Sequence, residues 1–179
     1  MKTKMTNNYK ELKEKYERII FETIANIYDK EFKKYGYSLA SLMVPKGAQD
    51  ARFKAKFDIG ILNNTKILDV GCGFGHMLDY LQSWNINAQY TGIDICPAFI
   101  ELAKQRHPDA DFRLLNILYD DIDEKWDWAF LVGAFNVAPE KDRWWQCVQE
   151  MIGSSEESVG NVRLERHWDI LHNAVNVTS

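Results

Sequence analysis

A short apolar run that empties into a glycine-rich turn, Ile67-Leu68-Asp69-Val70-Gly71-Cys72-Gly73-Phe74-Gly75, constrains the fold of this chain more than any other feature. A near-continuous apolar stretch from Lys66 to Val70 reads as a strand covered on both faces, and Gly71 to Gly75 reads as a turn. Met77, Leu78 and Leu81 then give His76 to Trp84 one helical face. Glycine lets the main chain turn sharply and approach a ligand closely, and a helix start offers N–H groups that have no partner within the helix. The turn is therefore suited to holding something. In the dinucleotide-binding spacing G-x-G-x-x-G the third glycine comes one position later, where His76 stands, which weakens a nicotinamide reading. Asp69 adds a carboxylate at the strand end, suited to a cationic group.

The same alternation continues. Tyr90 to Ile95 reads as a second strand, Pro97 to Arg106 as a helix with proline in its first turn, Phe112 to Leu115 as a third strand and Trp128 to Val132 as a fourth. Strands alternating with helices predict right-handed crossovers and an α/β fold, a doubly wound, mostly parallel sheet covered on both faces. Asp94 ends the second strand, about twenty residues beyond the glycine turn, where a carboxylate can accept hydrogen bonds from both hydroxyls of a ribose. Each such bond is worth about 1.5–3 kcal/mol, because the acceptor is charged. A nucleoside suits this arrangement and a bare phosphate does not.

Before the sheet, Leu12, Tyr16, Ile19, Thr23, Ile27 and Phe32 recur at helical spacing, predicting an amphipathic helix or a broken pair that stops at Gly36. Residues 37–58 read as a loop and a short helix. With 179 residues the chain is expected to form one domain, a helical cap over 1–60 and a sheet with its helices over 61–179. A net charge of -4 disfavours nucleic acid as a partner. No apolar run is long enough to span a bilayer, and the polar start lacks a secretory core, so a cytoplasmic location is expected. Three unclustered cysteines argue against a disulfide framework and a zinc site. The acidic run from Tyr119 to Lys125 has no His or Cys beside it and reads as a solvated turn rather than a metal site.

Asp69 to Gly75, Asp94, Arg113-Leu114-Leu115-Asn116-Ile117 and Trp126 to Asn136 resemble, in order, the four motifs of the class I S-adenosylmethionine-dependent methyltransferases. The likeness extends over about residues 45–152 and implies a Rossmann-like sheet with S-adenosylmethionine as cofactor. It implies that Gly71 and Gly73 pass under the methionine part, with Asp69 near its ammonium. Asp94 would hold the ribose, Ile95 would pack on the adenine, and Asn116 and Ile117 would flank the base. Arg52 is a candidate for the cofactor carboxylate. Phe135 and Asn136 stand at the end of the fourth strand, where an acceptor should lie, while Tyr16, Tyr28 and Tyr37 are candidates to roof the pocket. Gly133-Ala134-Phe135-Asn136 is not the Asn/Asp-Pro-Pro-Tyr/Phe pattern of many amine-directed members, which disfavours DNA adenine and protein glutamine as acceptors.

The resemblance thus implies methyl transfer to a small-molecule acceptor, with a non-catalytic cofactor-binding module or an RNA or protein methyltransferase as alternatives. No catalytic base stands out among His76, His107, His167 and His172. A seven-stranded sheet is usual in the family. As far as Ser179 the chain offers material for strands one to five, the fifth over Ala174 to Thr178, so strands six and seven are expected to be missing; a naturally short form, a shortened chain or a partner completing the open edge, such as a second copy in a homodimer, would each account for this.

Overall fold

The computed structural model describes residues 2–44, 53, 63–120, 122–131 and 174–176. In chain order the described elements are α1 (Lys2–Tyr35), β1 (Lys66–Val70), α2 (His76–Ser83), β2 (Gln89–Asp94), α3 (Pro97–Arg106), β3 (Asp111–Leu114), β4 (Trp128–Phe130) and β5 (Ala174–Asn176). Nothing in α1 breaks it: neither glycine nor proline occurs before Gly36, so of the two expected forms, one helix or a broken pair, it is the single helix. Gly36 ends it with φ of 59°, donating its N–H to the Phe32 carbonyl at 2.8 Å.

The sheet order is β3-β2-β1-β4-β5. β1 pairs in parallel with β2 (Leu68 opposite Thr91) and with β4 (Leu68 opposite Ala129), and β2 pairs in parallel with β3 (Gly92 opposite Phe112). β5 runs antiparallel to β4, with Val175 opposite Ala129, a direction that the alternating pattern of the tail could not reveal. β1 is central in the sheet and both of its faces are buried under packed side chains, Ile67 on one side and Leu68 and Val70 on the other, which explains its near-continuous apolar sequence.

Side chains on the two faces build two cores. Ile67, Tyr90, Phe112, Trp128 and Phe130 pack under α2 and α3 through Met77, Leu81, Ile100 and Ala103. Leu68, Val70, Ile93, Ala129 and Leu131 face the other way, toward Phe21 of α1 and Ile117, Leu118 and Trp126. A third cluster joins α1 to the carboxyl ends of the strands, with Tyr28, Phe32 and Leu42 packed on Phe74, Cys96 and Phe99. The end of α1 therefore stands over the glycine turn.

The face of α1 that meets the body is built from Glu17, Phe21, Ile24, Tyr28 and Phe32. Of the stripe that the helical spacing first suggests only Phe32 belongs to this face: Leu12, Tyr16, Ile19, Thr23 and Ile27 point outward and are exposed. Two apolar rows run along this helix, and only one is used inside.

Candidate functional site

The turn after β1 is held by backbone bonds to the next strand. The N–H groups of Gly71 and Cys72 both donate to the Ile93 carbonyl, at 2.8 and 3.1 Å. Gly71, Gly73 and Gly75 adopt φ of 76°, 55° and 77°, so the turn depends on residues without a Cβ. Asp94 closes the arrangement. Its Oδ2 accepts the Gly73 N–H and its Oδ1 the Cys96 N–H, each at 2.9 Å, the second forming the local Asx turn that admits Pro97 and α3. A carboxylate has about four lone-pair directions, so these bonds leave acceptor capacity toward the cleft. Burial raises the Asp94 pKa above the ordinary carboxylate value, against the opposing effect of the backbone N–H donors of Cys96, Gly73 and Ile95.

The third strand feeds the same edge. Leu115 donates its N–H to the Asp94 carbonyl at 3.1 Å, which brings Asn116 beside the end of β2. Asn116 organises the turn that follows: its Oδ1 accepts the Leu118 N–H at 3.1 Å and its own N–H donates to Asp120 Oδ2 at 2.6 Å. Ile95 is partly buried against the α1-side core, whereas Ile117 lies inside that core.

Asp69 is only 2% exposed, and the Tyr90 hydroxyl donates to its Oδ2 at 2.7 Å. That contact directs the carboxylate into the α2-side core between β1 and β2. The Tyr90 phenol is pushed well up, by burial first and then by the Asp69 charge.

The roof comes from α1 and the loop after it. Tyr28 packs edge-to-face on Phe99 at 5.6 Å, and its phenol is raised first by burial and then by the charge of Asp94. Tyr37 stacks on His76 at 5.5 Å and lies beneath the Arg106 guanidinium, 4.4 Å from its ring centre. Arg106 also donates to the Phe74 carbonyl and pairs with Asp79 at 2.6 Å. The Leu42 side chain rests on the turn, with its Cδ2 3.0 Å from where a Cβ on Gly73 would stand. Tyr16 is 67% exposed on the outward face of α1, on the side away from this roof.

Neither described histidine stands free as a base. His76 is stacked against Tyr37, and His107 lies 3.1 Å from Asp79 with its pKa lowered, chiefly by burial. Arg52, Phe135, Asn136, His167 and His172 fall outside the described residues. Among the described residues no cluster of His, Cys, Asp and Glu could hold a metal ion, and no helix is long and apolar enough to cross a membrane.

The sequence pattern signals Asp94 and the glycines. It does not signal Leu42 or the Cys96 N–H, Leu42 reaching the site only through the docking of the loop after α1; of the three tyrosines expected as a roof, Tyr28 and Tyr37 pack there and Tyr16 does not. An Asp two residues before a helix-starting Cys-Pro was the one local signal for the Asx turn. A separate open groove of about 640 Å³ lies at the opposite, amino ends of the strands, between Lys66, Gln89, His107 and Asp111.

Such a site, a glycine turn at a strand end with an acid on the neighbouring strand, fits an adenosine-bearing ligand. Residues 68–154 match the family model described as a methyltransferase domain. A Mycobacterium tuberculosis protein named as a methyltransferase, Rv1506c, is 39% identical over 74 residues, which are 40% of this chain and 42% of that protein. Phosphoethanolamine N-methyltransferase of Plasmodium falciparum is 31% identical over 78 residues, 44% of this chain and 29% of that enzyme. In both cases the matched stretch is less than half of the relative's own length. Among solved structures, a DhpI complex with S-adenosylhomocysteine superposes with a TM-score of 0.59 at 19% identity, over 75% of this chain and 64% of that one, a likeness of fold. Residues 68–154 of the chain thus match a methyltransferase domain, carried on a fold shared with a protein solved with S-adenosylhomocysteine bound.

Proposed function

We propose that this chain binds S-adenosylmethionine across the carboxyl ends of β1, β2 and β3 and transfers its methyl group to a small-molecule acceptor. The observation that carries the reading is the double use of Asp94, which holds the Gly73 and Cys96 N–H groups while keeping acceptor capacity for a ribose. The residues present fit the cofactor: Gly71 and Gly73 leave room for its methionine part, Asp94 meets the ribose, Ile95 offers an apolar surface and Asn116 a polar edge for the adenine. When bound, the cofactor supplies an activated methyl sulfonium, so no nucleophilic residue of the protein is needed. The protein's part is then to position an acceptor in line with the S–CH3 bond and to exclude water, the usual source of rate in such displacements. Phe74, Phe99, Tyr28, Phe32 and Leu42 form the apolar packing that closes the cofactor edge from the α1 side.

A small-molecule acceptor is favoured by the net charge of -4, which works against polyanion binding, and by the small amine that gives the Plasmodium relative its name. Calorimetry with S-adenosylhomocysteine tests the binding half: saturable binding is expected, and its absence would overturn the reading. Transfer of a labelled methyl group to a component of a metabolite extract tests the other half. Binding without any transfer would leave a non-catalytic cofactor module instead.

A further inference from the structure

The outward row on α1 is the feature that the cofactor site does not use. Leu12, Tyr16, Ile19 and Ile27 are 49%, 67%, 48% and 44% exposed, although the helix already buries Phe21, Ile24, Tyr28 and Phe32 on its other side. Tyr16, Thr23 and Lys30 fall seven residues apart on one line of this face, and Leu12 and Ile19 fall seven apart on the line beside it. Rows spaced in this way form the seam of a two-helix pair. Thirty-four residues at about 1.5 Å each also make α1 long enough to carry both an internal face and an external one.

We infer that this row docks against the same row of a second copy of the chain, the two α1 helices running antiparallel about a two-fold axis between Glu17 and Arg18. Charge chooses both the partner and the direction. In this register Tyr16 faces the partner's Ile19 and Leu12 faces the partner's Thr23. The same register sets Lys15 beside the partner's Glu22 and, by symmetry, Glu22 beside the partner's Lys15. Both residues are exposed and lie along one edge of the row, where antiparallel helices meet edge to matching edge. A parallel pairing would instead seat Lys30 against its own copy within the apolar seam, which like charges oppose. The contact places no residue near Asp94, so it is independent of the proposed methyl transfer.

Sedimentation velocity on the full chain tests this. A dimer is expected at protein concentrations up to about 100 µM, a modest demand for a pair of four-turn apolar faces. Ile19→Lys should weaken the dimer at least tenfold, with the circular dichroism spectrum unchanged and the melting temperature unchanged at dilution where both chains are monomers, because Ile19 touches no core. Lys15→Glu should weaken it as well, and the double variant Lys15→Glu/Glu22→Lys should restore it. A wild-type monomer throughout that range overturns the proposal. So does a dimer indifferent to Ile19→Lys, or a charge exchange that fails to rescue Lys15→Glu. Binding of the monomer to anionic vesicles through this row, with no dimer, would assign the face to a membrane surface and equally overturn it.

Discussion

The Gly73 N–H donates to Asp94 Oδ2 at 2.9 Å, and through that one bond the turn after β1 is tied to the end of β2. Asp94→Asn keeps the shape but sets an NH2 group against one of two N–H donors, since the carboxylate oxygens serve Gly73 and Cys96 separately. S-adenosylhomocysteine affinity is expected to fall at least tenfold, about 1.4 kcal/mol, as read by calorimetry. Unchanged affinity would remove Asp94 from the site.

The pH dependence of binding follows from the same carboxylate. Asp94 titrates above its ordinary value because burial opposes its charge. A raised folded-state pKa means that the native state holds the proton more tightly, so this group's contribution to stability is complete below the unfolded pKa and is lost as pH rises through the folded one. Ribose recognition needs the ionised form. The increase in melting temperature given by S-adenosylhomocysteine should therefore grow as pH rises out of the acid range through the raised Asp94 pKa. In Asp94→Asn that growth should be absent.

Gly75 and Gly73 should separate in their effects. A Cβ on Gly75 would stand 2.8 Å from Phe112 Cζ and 3.2 Å from His107 Cδ2, at φ of 77°, so Gly75 is required by packing between the turn and β3. Gly75→Ala should lower stability by about 1–3 kcal/mol, through overpacking and the left-handed backbone, in a urea titration. Gly73 shares the left-handed backbone, at φ of 55°, but its nearest obstacle is the movable tip of Leu42, 3.0 Å away, on the side of the turn proposed to face the cofactor. Gly73→Ala should cost less stability and more affinity. Equal ratios of affinity loss to stability loss at the two positions would contradict this division.

The parts legible in the sequence are those set by local pattern. β1 and α3 begin and end where strand and proline signals place them, because buried apolar runs and Pro97 leave little freedom. β3 begins one residue earlier than the apolar run suggests, since its pairing with β2 starts at Asp111 opposite Thr91, and a polar residue can open a ladder. The inner face of α1 was not legible. Leu12, Tyr16, Ile19, Thr23 and Ile27 form as regular a row as the one that is buried, and the choice was made by Phe99, Phe74 and Tyr119, which α1 meets only in the folded chain. Glu17 shows the same limit: a charged residue is buried on the inner row because the Tyr119 hydroxyl donates to its Oε2 at 2.7 Å.

Tyr90→Phe should separate support from contact at Asp69. Removing the hydroxyl takes a donor from a carboxylate that is 2% exposed, and stability should fall by about 1–3 kcal/mol. Because Asp69 points into the core between β1 and β2, affinity for S-adenosylhomocysteine should fall less than in Asp94→Asn. A larger loss of affinity than in that variant would mean that Asp69 acts on the ligand directly.

The two described cysteines should be inert in the native protein. Cys72 and Cys96 are buried, and burial is the main reason that the Cys96 thiol is pushed up to about 11 and the Cys72 thiol well above its usual value. The thiolate is the reactive form, and at pH 8 a thiol of that pKa holds only about one part in a thousand of it. Iodoacetamide at that pH, followed by peptide mass spectrometry, should leave both unmodified in buffer and modify both in urea. The sign of the linkage adds a second measurement. Keeping Cys96 protonated contributes stability that is complete below the unfolded thiol's pKa, about 8.5, and is lost as pH rises toward the folded value. Alkaline destabilisation over that window should therefore be shallower in Cys96→Ala than in the wild-type chain, and parallel curves would show that Cys96 is not the group being titrated.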